Sequence, residues 1–119
     1  MIRRSEEIGE RRVMNARGGD GEVVFHDWLL ADDARGHGRL FSKIVIPEGA
    51  SIGYHEHKSE FETFYVISGE ATINDNGTEV VLREGDMHTC TDGSGHGVRN
   101  NGTGDLVLIA LILNTLNVD

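Results

Sequence analysis

Short runs of apolar and β-branched residues alternate with glycine-rich turns along most of the chain. Runs of this kind, bounded by Gly, Asn and Asp, predict β-strands rather than helices. The predicted strands are Glu22–Leu30, Arg39–Ile46, Ser51–His57, Thr63–Ser68, Glu70–Asn74, Thr78–Arg83, Met87–Thr91, His96–Asn100 and Asp105–Leu113. The Asn76-Gly77 step favours a tight hairpin, because both residues tolerate positive φ. The pattern therefore predicts an all-β domain, built as a sandwich or a barrel.

Helical periodicity is weak throughout, and only Glu6–Val13 is compatible with one or two helical turns. The last strand differs from the others, because Leu106–Leu113 is apolar at successive rather than alternate positions. A strand that is apolar on both faces is usually covered on both. In a chain of this size we expect a second subunit to be one of those covers, which predicts a homodimer.

Composition narrows the possible classes of protein. The 119 residues correspond to one domain, 1–119, with an N-terminal arm over 1–20 and a core over about 22–113. The single cysteine, Cys90, excludes an intramolecular disulfide and favours a reducing compartment, so we expect a cytoplasmic protein. The net charge of −9 argues against nucleic acid and anionic membrane as partners. The longest apolar run is far shorter than the roughly 20 residues that cross a bilayer.

Candidate chemistry is concentrated in the histidines, of which there are six. His55 and His57 are two residues apart on a predicted strand, so their side chains share a face and can chelate one ion. Glu62 follows after a predicted bend, and a carboxylate beside imidazoles suits a divalent first-row metal. His96 lies farther along, after a glycine-rich loop. Glu60 is an alternative ligand, but its placement so soon after His57 makes it the weaker candidate.

Two segments match the motifs of a known family. Gly49-x5-His55-x-His57-x4-Glu62-x6-Gly69 resembles the first cupin motif, and Gly85-x5-Thr91-x-Gly93-x2-His96-x3-Asn100 resembles the second. Thr91 stands where the family usually has Pro. The resemblance implies a single double-stranded β-helix barrel of the jelly-roll type. It also implies one divalent transition metal per chain, held by His55, His57, Glu62 and His96.

A site of three histidines and one glutamate would leave coordination positions open for water, substrate or O₂. By the same resemblance manganese is the first metal expected, with Fe, Ni, Zn and Cu as alternatives. The implied function is a small-molecule metalloenzyme, dioxygenase or oxalate-decarboxylase-like, that acts on a small chelating acid or enediol. Glu62 could then also serve as a base. The alternatives are a non-catalytic binding or sensor protein for a small ligand such as a carboxylate, and a sugar isomerase or epimerase.

Strand parity predicts further residues near the site. Phe64 and Val66 share a face with Glu62, and Val98 shares a face with His96. Side chains on those faces point into the barrel together with the candidate ligands. Phe64, Val66 and Val98 are therefore the predicted pocket wall.

Parity leaves other roles open. It does not say which face of the strand Arg39–Ile46 is internal. If the face that carries Arg39 and Lys43 points inward, either side chain could bind a substrate carboxylate. If that face points outward, both are solvated cations. His88 and Cys90 share a strand face. In one interpretation both residues are buried and inert. In the other, His88 is a hydrogen-bond partner of a metal ligand or Cys90 is a reactive thiol.

Overall fold

The computed structural model describes residues 1–116, so residues 117–119 of the predicted domain lie outside the described part. The described residues form two antiparallel β-sheets. The strands are β1 (Arg11–Met14), β2 (Glu22–Leu29), β3 (Gly38–Ile46), β4 (Ser51–Glu56), β5 (Glu60–Ser68), β6 (Ala71–Asp75), β7 (Thr78–Leu82), β8 (Met87–Cys90), β9 (Gly95–Arg99) and β10 (Leu106–Asn114). One sheet has the order β1-β2-β3-β10-β5-β8 and the other β4-β9-β6-β7. This arrangement confirms the predicted all-β fold of the jelly-roll type.

The N-terminal segment differs from its prediction. Only Ser5–Glu7 is helical, as one 3-10 turn, and the residues that follow form β1. The helical prediction for Glu6–Val13 is therefore wrong over its second half. β1 pairs antiparallel with β2, which places Val13 opposite Val23. Pairing of this kind satisfies backbone groups that a helix of one or two turns would leave without partners.

The remaining helical elements are short. A second 3-10 turn, Ala16–Gly18, joins β1 to β2, and a four-residue helix, α1 (Ala31–Ala34), follows β2. Within residues 1–116, no helix combines the length and the apolar character that crossing a membrane requires.

The core lies between the two sheets and follows the alternation of side chains along each strand. β10 shows this most clearly: its inward residues are buried, and its outward residues are half-buried although they are equally apolar. The buried set is Leu106, Leu108, Ala110 and Ile112. On β3, Ser42, Ile44 and Ile46 are the buried set. Arg39 and Lys43 therefore lie on the outer face of β3, which answers the question that parity left open.

The hairpin between β6 and β7 has the predicted turn. Asn76 and Gly77 have φ of 49° and 99°, and Asp75 pairs with Thr78 across them. The backbone N–H of Gly77 donates to Asn74 Oδ1 at 2.9 Å, which closes the turn. Local turn chemistry thus fixes the register of this pair of strands.

Candidate metal centre

Both sheets contribute to one cluster of titratable side chains. His55 lies on β4 and His96 on the adjacent β9, where the two residues are paired in register. His57 follows one residue after the end of β4. Glu62 lies on β5 in the opposite sheet, so it approaches from the other side of the barrel. The structure thus brings together the four residues that the sequence singled out as metal ligands.

The ligand atoms of these residues face a common point. Glu62 Oε1 lies 3.1 Å from His57 Nε2 and 2.9 Å from His96 Nε2, and the two Nε2 atoms are 3.1 Å apart. His55 Nε2 lies 3.8 Å from Glu62 Oε1. Metal–ligand bonds of about 2.1 Å place adjacent ligands about 3.0 Å apart. The three shortest contacts have that spacing, so the group could hold a metal ion.

The cluster is shielded from water. His57, Glu62 and His96 are 1%, 4% and 0% exposed. Burial by itself would raise the pKa of Glu62, but hydrogen bonding to its histidine neighbours outweighs burial and holds that pKa well below its usual range. Burial lowers the pKa of His96, although Glu62 opposes the shift. For Glu62 and His96 this is an ionised carboxylate facing a neutral imidazole, the state in which such groups bind a divalent cation; the hydrogen bond to Glu62 instead raises the pKa of His57.

Glu60 contacts the cluster from behind His57. Its Oε1 atom lies 2.8 Å from His57 Nδ1. Arg39 donates from Nε and Nη2 to the two oxygens of the same carboxylate, both at 2.8 Å, and with His57 it lowers the pKa of Glu60 to about 2. An anion at Nδ1 favours the tautomer that leaves Nε2 of His57 free for a metal. Glu60, the alternative ligand that the sequence offers, lies outside the four-residue cluster.

The other two histidines also have a partner at their second nitrogen. His96 Nδ1 lies 3.1 Å from Nε2 of His88, and Phe64 stacks on the His96 ring with centroids 4.9 Å apart and planes at 12°. Burial and the neighbouring His96 lower the pKa of His88, which favours a neutral His88 ring. Nε2 of such a ring can accept the proton on Nδ1 of His96. His55 Nδ1 lies 2.8 Å from the carbonyl oxygen of Gly53, which accepts its proton. His88 is thus a partner of a candidate ligand.

Cys90 has no such contact with the cluster. Its side chain is 1% exposed, and burial raises the pKa of the thiol to about 11. A thiol with so high a pKa carries almost no thiolate at neutral pH, and the thiolate is the reactive form. Cys90 is therefore a buried, unreactive thiol, as in the first of the two interpretations given by its strand position.

A cavity of about 270 Å³ opens beside the cluster, and His55, His57 and Glu62 line one part of it. Its apolar wall is formed by Val13, Phe25, Leu40, Ile44, Ile52 and Ile112. The residues predicted for this wall, Phe64, Val66 and Val98, are 1%, 0% and 2% exposed and belong to the hydrophobic core instead. Parity correctly indicated that they point inward. It could not indicate how far along the barrel each side chain lies, and that position decides whether the side chain meets the cavity.

Arg39 reaches the cavity from its rim, although its strand position faces outward. Arg11 and Arg17 line the same cavity from the N-terminal segment. Sequence reasoning missed both the role of Glu60 and these two arginines. Glu60 could have been found, because it lies two residues before Glu62 on the same strand face. The arginines could not, because their place depends on the path of a segment without a clear pattern.

Comparisons with known proteins agree with this architecture. The family model described as "Cupin domain" matches residues 42–112. A relative from Thermotoga maritima named oxalate-binding protein is 38% identical over 113 residues, which cover 95% of this chain and 93% of the relative. A crystal structure of a predicted oxalate decarboxylase from Thermotoga maritima has a TM-score of 0.91 at 38% identity and covers 96% of this chain and 99% of its own. KdgF from a Halomonas species has a TM-score of 0.74 at 16% identity, with coverage of 98% and 96%, and is similar in fold alone.

Proposed function

This chain belongs to the cupin domain family, and we propose that it is a metal-dependent enzyme of the oxalate-decarboxylase type. Its substrate would be oxalate or a similarly small chelating acid. The observation that carries the proposal is the convergence of three histidine nitrogens and one carboxylate in a buried cluster beside a small cavity. The relatives named for oxalate support the choice of substrate class.

We assign His55, His57, Glu62 and His96 as the ligands of one divalent transition metal. Three neutral imidazoles and one carboxylate give a site of net charge +1 with a divalent ion. A metal bound there would supply Lewis-acid chemistry, which polarises a carboxylate oxygen of the substrate. Manganese is the metal that we propose first, because the resemblance to oxalate-degrading cupins implies it; a site of three imidazoles also suits Fe, Ni, Zn and Cu.

The protein's own residues then bind and orient the acid. The apolar wall of the cavity provides a less polar surrounding than water, which strengthens electrostatic contacts inside. The cavity lies just below the range of about 300–1,000 Å³ that is usual for drug-sized ligands, so it fits a small acid. Glu60 and His88 hold His57 and His96 with Nε2 directed at the centre.

The test is turnover of oxalate by protein loaded with Mn(II). Decarboxylation converts one oxalate dianion and one proton into one formate and one CO₂, so both products are measured. We expect equal amounts of formate and CO₂ from the wild-type protein, and neither above background from His96→Ala. Absence of both products from wild-type protein with a full equivalent of manganese would contradict the proposal.

A non-catalytic binding protein is the second candidate, because one relative is named for binding oxalate. The two functions differ in one pair of readouts. Oxalate should raise the melting temperature of the metal-loaded protein in either case, since a ligand that binds the native state stabilises it. Stabilisation without formate and CO₂ would favour the binding protein over the enzyme.

A further inference from the structure

We propose that Arg17 binds the second anionic group of a dianionic ligand whose first anionic group lies at the metal centre. The cavity would then select small dicarboxylates over monoanionic acids of the same size. This inference rests on the proposed function, because it takes a small chelating acid as the ligand. It adds the charge class of that ligand and the residue that recognises it.

The first support is the pairing of the three arginines that line the cavity. Arg11 donates to both oxygens of Asp27, at 2.9 and 3.0 Å. Arg39 donates to both oxygens of Glu60, at 2.8 Å each. Arg17 makes no ion pair with any residue in the described range 1–116, and its side chain is exposed. A residue that lines the cavity therefore still has guanidinium donors available to an anion.

The second support is the backbone of Arg17. Its φ and ψ are 53° and 31°, in the left-handed region that residues with a Cβ atom rarely adopt. Glycine adopts this conformation readily. The next two residues, Gly18 and Gly19, are glycines, whereas residue 17 is an arginine. Strained residues of this kind recur at ligand sites, where the surrounding structure holds them in place. The conformation is compatible with such a role for Arg17, and Arg35 adopts nearly the same conformation outside the cavity.

The third support is the link between Arg17 and the metal centre. The carbonyl oxygen of Arg17 packs against the backbone of Gly53, with no room for a side chain there. The carbonyl oxygen of Gly53 in turn accepts from His55 Nδ1 at 2.8 Å. Asp20 and Ser51 tie the same two segments, because Asp20 N donates to Ser51 Oγ and Ser51 N donates to Asp20 O, both at 2.8 Å. The backbone of Arg17 is thus held in a fixed position relative to the candidate ligand His55.

The charges around the cavity favour a dianion. Arg11 and Arg39 are neutralised by their carboxylate partners. What remains is a divalent ion, the anionic Glu62 and the cationic Arg17, a net charge of +2. A dianion can meet both cations, with one anionic group at the metal and the other at Arg17, whereas a monoanion can meet only one of them.

The test compares oxalate, a dianion, with oxamate, a monoanion of nearly the same shape. Affinities are measured by isothermal titration calorimetry on manganese-loaded protein at fixed ionic strength. The variant is Arg17→Gly, because glycine suits the backbone conformation and the fold should be kept. Arg17→Lys keeps the charge, and Arg12→Gln is the matched control, since Arg12 pairs with Glu10 and Glu22 away from the cavity.

We expect the wild-type protein to bind oxalate more tightly than oxamate. Arg17→Gly should weaken oxalate binding about tenfold or more and oxamate binding by less than about twofold, since the substitution removes a charge-assisted hydrogen bond that only the dianion makes in full. Arg17→Lys should recover part of the preference, and Arg12→Gln should retain all of it.

Three results would overturn the inference, and they are distinguishable from one another. Equal oxalate affinity in wild-type and Arg17→Gly protein would refute the role of Arg17 and leave the proposed function intact. Equal losses of affinity for both acids, or loss of manganese from Arg17→Gly, would mean that Arg17 is merely structural. Failure of manganese-loaded wild-type protein to bind either acid would refute the proposed function together with the inference.

Discussion

Each candidate imidazole ligand is held at its Nδ1 atom by a different kind of partner. The partners are the Gly53 carbonyl for His55, the Glu60 carboxylate for His57 and the His88 ring for His96. A partner at Nδ1 decides which tautomer is present and where the ring points. The three contacts therefore determine that Nε2 is the atom that each ring directs toward the centre.

Glu60 is the partner whose removal should be most informative. Glu60→Ala removes the acceptor from Nδ1 of a side chain that is 1% exposed, and leaves Arg39 without its carboxylate. We expect manganese affinity to fall by about 10- to 100-fold, the usual range for removal of such a partner. Equilibrium dialysis with Mn(II) measures it.

Two further variants make that result specific. Glu60→Gln keeps an acceptor oxygen and should fall between wild-type and Glu60→Ala protein. Glu56→Ala removes an exposed glutamate at the end of β4 and should leave the affinity unchanged. Wild-type affinity in Glu60→Ala would show that His57 needs no partner at Nδ1.

For single residues, the sequence predicted which side chains form the candidate metal centre, but not the partners that contact the Nδ1 atoms of its histidines. Spacing on strands placed His55 beside His57, and the family resemblance added Glu62 and His96. The contacts of Glu60 depend on the bend at Ser59, which has a φ of 62°. The sequence predicted a bend at this place and strand parity places Glu60 beside Glu62, but the left-handed backbone of Ser59 that decides the contact with His57 is not predictable from residue type, since most serines avoid that region.

Among the elements, the turn Ala16–Gly18 and strand β4 approach each other closely through their backbones. A Cβ atom on Gly53 would collide with the carbonyl oxygen of Arg17 and lie 2.8 Å from the backbone nitrogen of Gly19. Neither backbone atom can rotate away as the end of a side chain could. The two elements can pack in this way only because residue 53 is glycine.

Gly53→Ala should therefore separate these elements. We expect the free energy of unfolding to fall by about 1–3 kcal/mol, as for other overpacked sites. Urea denaturation measures this change. Gly9→Ala is the control, because nothing lies within 4 Å of its added Cβ atom, and it should change stability by less than about 0.5 kcal/mol. Equal stability of the two variants would contradict the packing described.

The nine strands predicted from alternating pattern and turns are all present, and β1 is the additional strand. The Asn76-Gly77 hairpin was predictable because its turn is a local property. β1 was not, because Arg11–Met14 is short, charged and at the edge of its sheet. Its strand state depends on pairing with β2, which is a tertiary contact that a local pattern does not contain.

Across the whole molecule, the outer face of the larger sheet is unusually apolar. Its central strand β10 has a half-buried outward row, and the neighbouring β5 has outward residues with 43% and 44% exposure. The residues concerned are Val107, Ile109, Leu111, Tyr65 and Ile67. An apolar patch of this kind usually marks an interaction surface. We propose that a second copy of the chain covers it, as the apolar last strand predicted.

Ile67→Glu should disrupt such a dimer. A charge in the centre of an apolar interface must be desolvated without a partner, which is costly. Analytical ultracentrifugation should give a dimer for the wild-type protein and the 13.1 kDa monomer for the variant. Val81→Glu, at a similarly exposed position of 41% on β7 in the other sheet, should remain dimeric. A monomeric wild-type protein would refute the proposal.

The metal content of the purified protein and of two ligand variants is the decisive measurement. Elemental analysis follows saturation with Mn(II) and removal of free metal. We predict close to one equivalent per chain for the wild-type protein, and none for His96→Ala or Glu62→Ala, both still folded by circular dichroism. A full equivalent in both variants, or no uptake by the wild-type protein, would contradict the assignment of His55, His57, Glu62 and His96 as the metal ligands.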